Sequence, residues 1–264
     1  PRLAHMLLSA GSDAAELATL LSERDPLGRS AGCDLSLRLR ALKGGRVGKE
    51  FASRVKQDAL RLKKLGPARS GDALSLGAMA ALAYPDRIGQ RRKGDAPRYV
   101  LSGGKGTVME DGDALSSAPF IVVTDTDGNP REARIRQAAQ ISLGDIRALF
   151  ADQIAWVKDC AWSKRERRVI AMQREKLGAL VLDEQLWKDA PADELAQAML
   201  DGVRALGLSF SPAAERFRTR VALLRSAGED MPDLSDDTLL GTAQDWLLPF
   251  LSDVKNAAQL KALD

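Results

Sequence analysis

The sequence predicts an α+β protein built from more than one folded unit, helical at both ends and β-rich in between. The hydrophobic period is three to four residues up to about Tyr84, becomes two from Pro97, and lengthens again after Ala190. A chain of 264 residues has room for about two domains at roughly 100–200 residues each. An apolar fraction of 45% and a charged fraction of 28% are those of a globular protein, which removes disordered, collagenous and coiled-coil architectures.

The first helical region rests on two stripes. Leu17, Ala18 and Leu21 share one face, and Val47, Phe51, Val55, Ala59 and Leu62 recur at helical spacing with Arg46, Lys49, Arg54, Lys56, Arg61, Lys63 and Lys64 on the polar side. Asp25-Pro26 and Gly66-Pro67 interrupt the run, because proline disfavours helical geometry in the residue before it and has no N–H to donate. Ala73 to Tyr84 is the longest nearly apolar stretch, and its 12 residues fall short of the ~20 that a bilayer requires.

The strands follow. Arg98–Leu101 runs into Gly103-Gly104, then come Thr107–Met109 and Phe120–Thr124, and Asp127-Gly128 separates the last of these from Ala133–Arg136. Asp-Gly between two β-prone runs signals a tight hairpin, since both central residues of a type I′ turn need positive φ. Short strands with glycine turns make a small barrel or sandwich. A short helix is expected at 143–150, followed by β-prone segments at 154–162, 167–172 and 179–182. Beyond these, Leu195, Met199, Val203 and Leu206 form one helical stripe and Phe217, Val221 and Leu224 another.

The net charge of +3 conceals a split. Residues 183–264 hold 8 basic and 15 acidic side chains, against 31 basic and 21 acidic before them. Eleven bases face three acids between Arg29 and Lys64, and Arg87, Arg91, Arg92, Lys93, Arg98 and Lys105 crowd the entry to the β region. Arginine supplies 26 of the 39 bases, and its planar fork suits bidentate phosphate contact. A polyanionic partner follows.

Other chemistries lack their residues. The single histidine, His5, has no nearby nucleophile to activate, and one His with two cysteines 127 positions apart cannot build a tetrahedral zinc site. Those unpatterned cysteines point to a reducing compartment, hence to the cytoplasm. Gly103–Thr107 lacks the first glycine of a phosphate loop and sits between strands, so it reads as a hairpin. Asp125, Asp127 and Asn129 alternate like calcium ligands, but Arg136 occupies the position of the closing glutamate. A free-standing hydrolase therefore has no candidate nucleophile, base or metal set.

Particular segments resemble a known family. Pro1–Ala4, Glu23–Leu27, Ala83–Arg92, Leu101–Gly106, Ala133–Arg136, Leu177–Leu182 and Pro232–Asp236 together look like the region beyond the motor of bacterial HrpB-type DEAH-box ATP-dependent helicases, and Tyr84–Ile88 with Gln90-Arg91-Arg92 is the most specific block. One departure is Ser209-Phe210-Ser211, where the family pattern leads to a Leu-Pro-Trp-like element. The resemblance implies a helical ratchet-like domain over 1–84, an OB-like antiparallel β-barrel over 85–182 and a C-terminal helical extension over 183–264. It also implies that the chain is a piece of a longer protein whose RecA-like motor binds ATP and Mg, while this piece carries neither cofactor, no metal and no catalytic residue.

On that reading the partners are single-stranded RNA or DNA and the helicase core domains of the same parent chain, with no membrane. Arg87, Arg91, Arg92, Arg98 and Lys105 are the candidate phosphate contacts and Tyr99 the candidate base stacker. The alternative is a protein-interaction module that docks a partner through its acidic C-terminal helices.

Overall fold

A computed structural model of the chain describes residues 1–28, 31–67 and 72–264; Arg29, at the edge of the first basic cluster, lies outside them. Two units interleave along the sequence: one comprises Pro1–Ala155 and Glu175–Leu182, the other Trp156–Arg174 and Asp183–Asp264.

The first unit opens with helices α1 (Arg2–Ala10), α2 (Ala15–Ser22), α3 (Leu35–Lys43), α4 (Lys49–Leu65) and α5 (Leu76–Ala83). In α4 the predicted stripe turns inward, with Val55 and Ala59 buried and the lysine and arginine face left in water. Helix α5 is apolar on every side because it is buried on nearly every side, at Gly77, Ala78, Ala80, Ala81 and Ala83. The Ser75 side chain caps it by accepting from the Ala78 N–H at 3.1 Å. A Cβ at Gly77 would lie 2.0 Å from the Gln140 carbonyl oxygen, so helix and barrel meet backbone to backbone there.

Strands β1 (Ile88–Arg91), β2 (Arg98–Leu101), β3 (Gly106–Val108), β4 (Phe120–Thr126) and β5 (Ala133–Gln140) close into a barrel in the order β1-β2-β3-β5-β4. Closure uses one parallel pair, Thr107 opposite Ala133 and Val108 opposite Arg134, and an antiparallel β1–β4 seam with Gly89 opposite Ile121. This is the OB-like barrel expected. Its interior holds Tyr99, Leu101, Ile121, Val123, Ile135 and Ala138. On its outer wall Ile88, Phe120, Val122 and Ala139 join the core of the helices. Strand β4 is thus buried on both faces, which is why it reads as a continuous apolar run and not as an alternation.

Gly103-Gly104 makes the β2–β3 hairpin turn, with Gly104 at φ +89 and the Leu101 N–H donating to the Lys105 carbonyl at 2.8 Å. The β4–β5 connection differs from the tight turn expected and occupies 127–132. Pro130 has no N–H for a ladder, and the Asp127 carboxylate instead accepts from the N–H groups of Asn129 at 3.0 Å and Arg134 at 2.9 Å. Those donors hold the Asp127 carboxyl below its ordinary range.

Helix α6 (Leu143–Leu149) follows, capped by Ser142. Because β5 already closes the barrel, the later β-prone segments form a separate sheet, β6 (Ala155–Ser163), β7 (Arg168–Leu177) and β8 (Leu180–Leu186), in the order β6-β7-β8. Leu177, Leu180 and Leu182 return to the first unit's core, and Gln90 fastens them by donating to the Val181 carbonyl at 2.6 Å and accepting from its N–H at 3.1 Å.

In the second unit, α7 (Ala192–Leu206) buries Met199, Leu200 and Val203 against Ala243, Leu247 and Leu251, and Trp162 packs over Gly202. The stripe expected on α8 (Pro212–Ser226) is mostly in water: Val221 is buried but Phe217 is 62% exposed. Phe210, at the family departure, lies 4.1 Å beneath the Arg218 guanidinium. Among the described residues no helix is long and apolar enough to cross a membrane.

Candidate nucleic-acid interface

The six residues chosen from the sequence do not act as one group. Side chains directly opposite each other on paired strands share a face, so Arg91, opposite Tyr99, points to the barrel's interior side while Arg92 and Arg98 point outward. Arg91 closes the end of the barrel. Its Nε donates to the Ser116 carbonyl at 2.9 Å and its other nitrogens reach the carbonyls of Gly94 and Asp95 at 3.3 Å. Arg87 is likewise occupied, stacked 5.2 Å from the Tyr84 ring and donating to the Thr124 carbonyl at 3.2 Å.

Tyr99 requires a correction as a base stacker. It is fully buried, and its hydroxyl is surrounded by the carbonyls of Leu115 at 2.8 Å and Ala118 at 3.1 Å. Burial pushes its phenol up to about 12. No ring face is left for a nucleotide base, because the outward residues of this short strand are Arg98 and Val100, not Tyr99.

Of the remaining three, Arg92 and Arg98 point outward and Lys105 is exposed in the β2–β3 turn. The Arg98–Val108–Arg134 row crosses β2, β3 and β5 in register, with both arginines exposed. The Arg92 guanidinium lies over Gly106, 3.9 Å from where a Cβ would be, and Lys105 adjoins it in the hairpin turn. Among the described residues neither Arg92 nor Lys105 has an ion-pair partner in its side chain, whereas Arg98 lies 3.3 Å from Glu132. That pair is 58% and 43% exposed, so water screens it and a phosphate can replace the carboxylate. It also ties the β1–β2 side of the barrel to the β4–β5 loop, and in OB-type barrels the β2–β3 face and these two loops form the oligonucleotide surface.

Sequence reasoning missed Arg134 and Arg136. Their signal was present: they alternate with Ala133 and Ile135 along β5, which places both on one face. Both also line a cleft of about 830 Å³ between the α2–α3 connection and β4–β5, together with Arg24, Asp25, Asp113 and Asp125. The cleft's rear wall is a fixed polar network. Arg38, 1% exposed, donates to Asp25 at 2.8 Å, and the Cys33 N–H donates to Asp113 at 2.7 Å. Burial and the Asp113 carboxylate push the Cys33 thiol far above its ordinary range, so it remains a neutral donor to that carboxylate. His5, at the chain's start, rests its Nδ1 2.9 Å from the Leu82 carbonyl oxygen and takes no part.

No family model matches the sequence. The chain is 31% identical over 277 aligned residues to the ATP-dependent RNA helicase HrpB of Escherichia coli (strain K12), an alignment that spans all of this chain and 33% of that protein. Two crystal structures of E. coli HrpB, one described as a DExH-box NTPase and one as a DEAH/RHA helicase, each match with a TM-score of 0.56, at 29% and 27% identity. Each match again covers the whole of this chain and 33% of the solved one. The chain therefore spans about a third of the length of the relative it matches, and its similarity to that third of E. coli HrpB runs along its entire length.

Proposed function

We propose that this chain is the nucleic-acid-binding accessory region of an ATP-dependent DEAH-box RNA helicase, holding single-stranded RNA while a RecA-like motor elsewhere in the parent chain binds ATP and Mg and hydrolyses the nucleotide. The observation that carries this reading is the outward row Arg98–Val108–Arg134 with Arg92 and Lys105 beside it, a cationic face on the strands by which OB-type barrels meet oligonucleotides. Phosphate contacts carry no base information, so the grip is indifferent to sequence.

The test is fluorescence anisotropy of a labelled single-stranded RNA against the whole chain over a salt series. Four phosphate contacts from the barrel face contribute about 3 units to the slope of log affinity against log salt at ~0.7 per contact. Arg92→Ala with Arg134→Ala should weaken binding equally for unrelated sequences and flatten the slope by about 1.4. Parental affinity and slope in that double variant would overturn the proposal.

One observation favours the second reading, a protein-interaction module in the C-terminal helices, although it falls on the basic helix α8 and not on the acidic segments around it: Phe217 and Leu223 on α8 are 62% and 68% exposed. Salt distinguishes the two, because an apolar contact at these positions strengthens as salt rises while a phosphate contact weakens.

A further inference from the structure

The turn joining β6 to β7, at 164–167, places Lys164, Arg165 and Arg167 beside Arg168, with Glu166 the sole acid among them. Glu166 is committed to Arg168, whose Nε donates to it at 2.6 Å. Lys164, Arg165 and Arg167 are exposed, and among the described residues their side chains have no ion-pair or hydrogen-bond partner. The result is a hairpin tip with three free cations.

The tip is held rigidly. The Ser163 hydroxyl accepts from the Glu166 N–H at 3.2 Å within the turn. The chain near the C-terminus then meets the start of β7 in a single antiparallel bridge: the Val169 N–H donates to the Lys255 carbonyl at 2.8 Å, the Ala257 N–H donates to the Arg167 carbonyl at 2.9 Å, and Arg168 pairs with Asn256. All of these bonds are made by backbone or by Ser163. None uses the three free cations, so their side chains do nothing for the fold.

Arg167 adds a second, independent observation. It is the one non-glycine residue among those described with positive φ, at +52, a conformation that glycine or asparagine adopts at lower cost. Strained backbone that persists where a cheaper residue would serve points to a use for the side chain. Three arginines and a lysine on a narrow turn suit phosphate oxygens, which the guanidinium fork binds in pairs. The turn has no apolar side chain to insert into lipid, and a polybasic segment without one is a weak membrane anchor.

We infer that the β6–β7 hairpin is a second nucleic-acid contact, a fixed basic finger that binds the phosphate backbone of a single strand through Lys164, Arg165 and Arg167. It lies in the second unit, shares no residue with the barrel face and does not depend on that face binding RNA.

The triple variant Lys164→Ala/Arg165→Ala/Arg167→Gly of the whole chain tests it by anisotropy with labelled polyuridine across a salt series. Removing three contacts should flatten the salt slope by about two units at ~0.7 per contact and lower affinity at least tenfold at low salt. Thermal stability should be kept or raised, since Arg167→Gly relieves the backbone and retains the carbonyl that Ala257 uses. Parental affinity and slope would overturn the inference, as would hairpin-dependent retention on phosphatidylserine vesicles with polyuridine binding unmoved. Because the barrel variant Arg92→Ala/Arg134→Ala is read separately, either site can fail alone. A control with Arg167→Gly alone, expected to lose about one third of the slope change at full stability, shows whether the triple variant's loss follows charge.

Discussion

Asp25 in the α2–α3 connection and Arg38 on α3, thirteen residues apart, form an ion pair 2.8 Å long in which the arginine side chain is 1% exposed. The same guanidinium donates to the carbonyls of Gly32 at 2.5 Å and Asp34 at 3.1 Å, so one side chain organises the connection that forms a wall of the cleft. Removing one partner of a fully buried pair costs roughly 3–5 kcal/mol, and Asp25 keeps 26% of its side chain in water, so Arg38→Met should cost about 2–3 kcal/mol. Urea unfolding measures this. A loss below about 0.5 kcal/mol would show that the network is dispensable.

Arg91 and Arg92 are neighbours with opposite duties. Arg91→Ala removes a charged donor from the Ser116 carbonyl and the loop carbonyls, and should destabilise by about 1–2 kcal/mol while changing RNA affinity little. Arg92→Ala should do the reverse, leaving the melting temperature in place and reducing the salt slope by about 0.7. Paired melting and anisotropy curves separate them, and an exchange of the two outcomes would refute the assignment of faces.

Tyr99→Phe should leave RNA binding unchanged and cost about 1–2 kcal/mol, because the carbonyls of Leu115 and Ala118 lose a buried donor. In a Tyr84→Phe background, near-ultraviolet absorbance should show no phenolate until the pH approaches about 12 or the chain unfolds. A RNA-binding defect without a stability defect would restore Tyr99 to the interface.

Acid should weaken the first unit through two carboxylates. Burial pushes Asp25 up, but the Arg38 guanidinium and the Leu27 N–H more than reverse it; burial likewise acts on Asp113, and the N–H groups of Leu115 and Cys33 prevail. Both carboxyls end below their unfolded value of 3.8, so the unfolded chain takes up these protons first as the pH drops. Their contribution is therefore present above about pH 4 and lost as the pH falls through the folded values. Melting temperature measured from pH 6 to pH 2 should decline more gently in Asp113→Asn, which has already forfeited its share; an unchanged decline would acquit the residue.

Gly77→Ala should be the most damaging of the small substitutions. Its methyl group would come within 2.0 Å of the Gln140 carbonyl oxygen and 2.9 Å of the Ile141 Cα, both backbone, so α5 must lift from the barrel. A cost of about 3 kcal/mol or more is expected on chemical denaturation. A gain, the usual result for Gly→Ala within a helix, would mean that the helix is not seated as described.

Local signals were read correctly where a local rule governs. The strands that follow Pro97, the Gly103-Gly104 turn and the Ser142-capped helix all depend on residues a few positions apart, whereas the first strand, Ile88–Arg91, lies ahead of the expected change of period and was missed. What escaped was set by distant partners. In Arg98–Leu101 both Tyr99 and Val100 are apolar enough to face inward, and the register with Thr107 and Gly106 decides between them. Arg91 and Arg92 cannot be distinguished until the Ser116 carbonyl is brought alongside. The alternation of Arg134 and Arg136 was visible, but its importance depends on β5 lying beside β3, a parallel pairing that no neighbouring residue announces. The interleaving of Glu175–Leu182 with the first unit is of the same kind.

Barrel closure through β5 has a consequence during synthesis. As the chain leaves the ribosome, β1 to β4 emerge first, and until Ala133–Gln140 follows, β3 and β4 each present an open row of N–H and carbonyl groups. Phe120–Val123, among the most apolar and β-prone segments of the chain, lies on one of those rows. A nascent or truncated chain ending before Gln140 is thus a template for intermolecular pairing, and the arrival of one eight-residue strand converts it into a surface with no edge to offer.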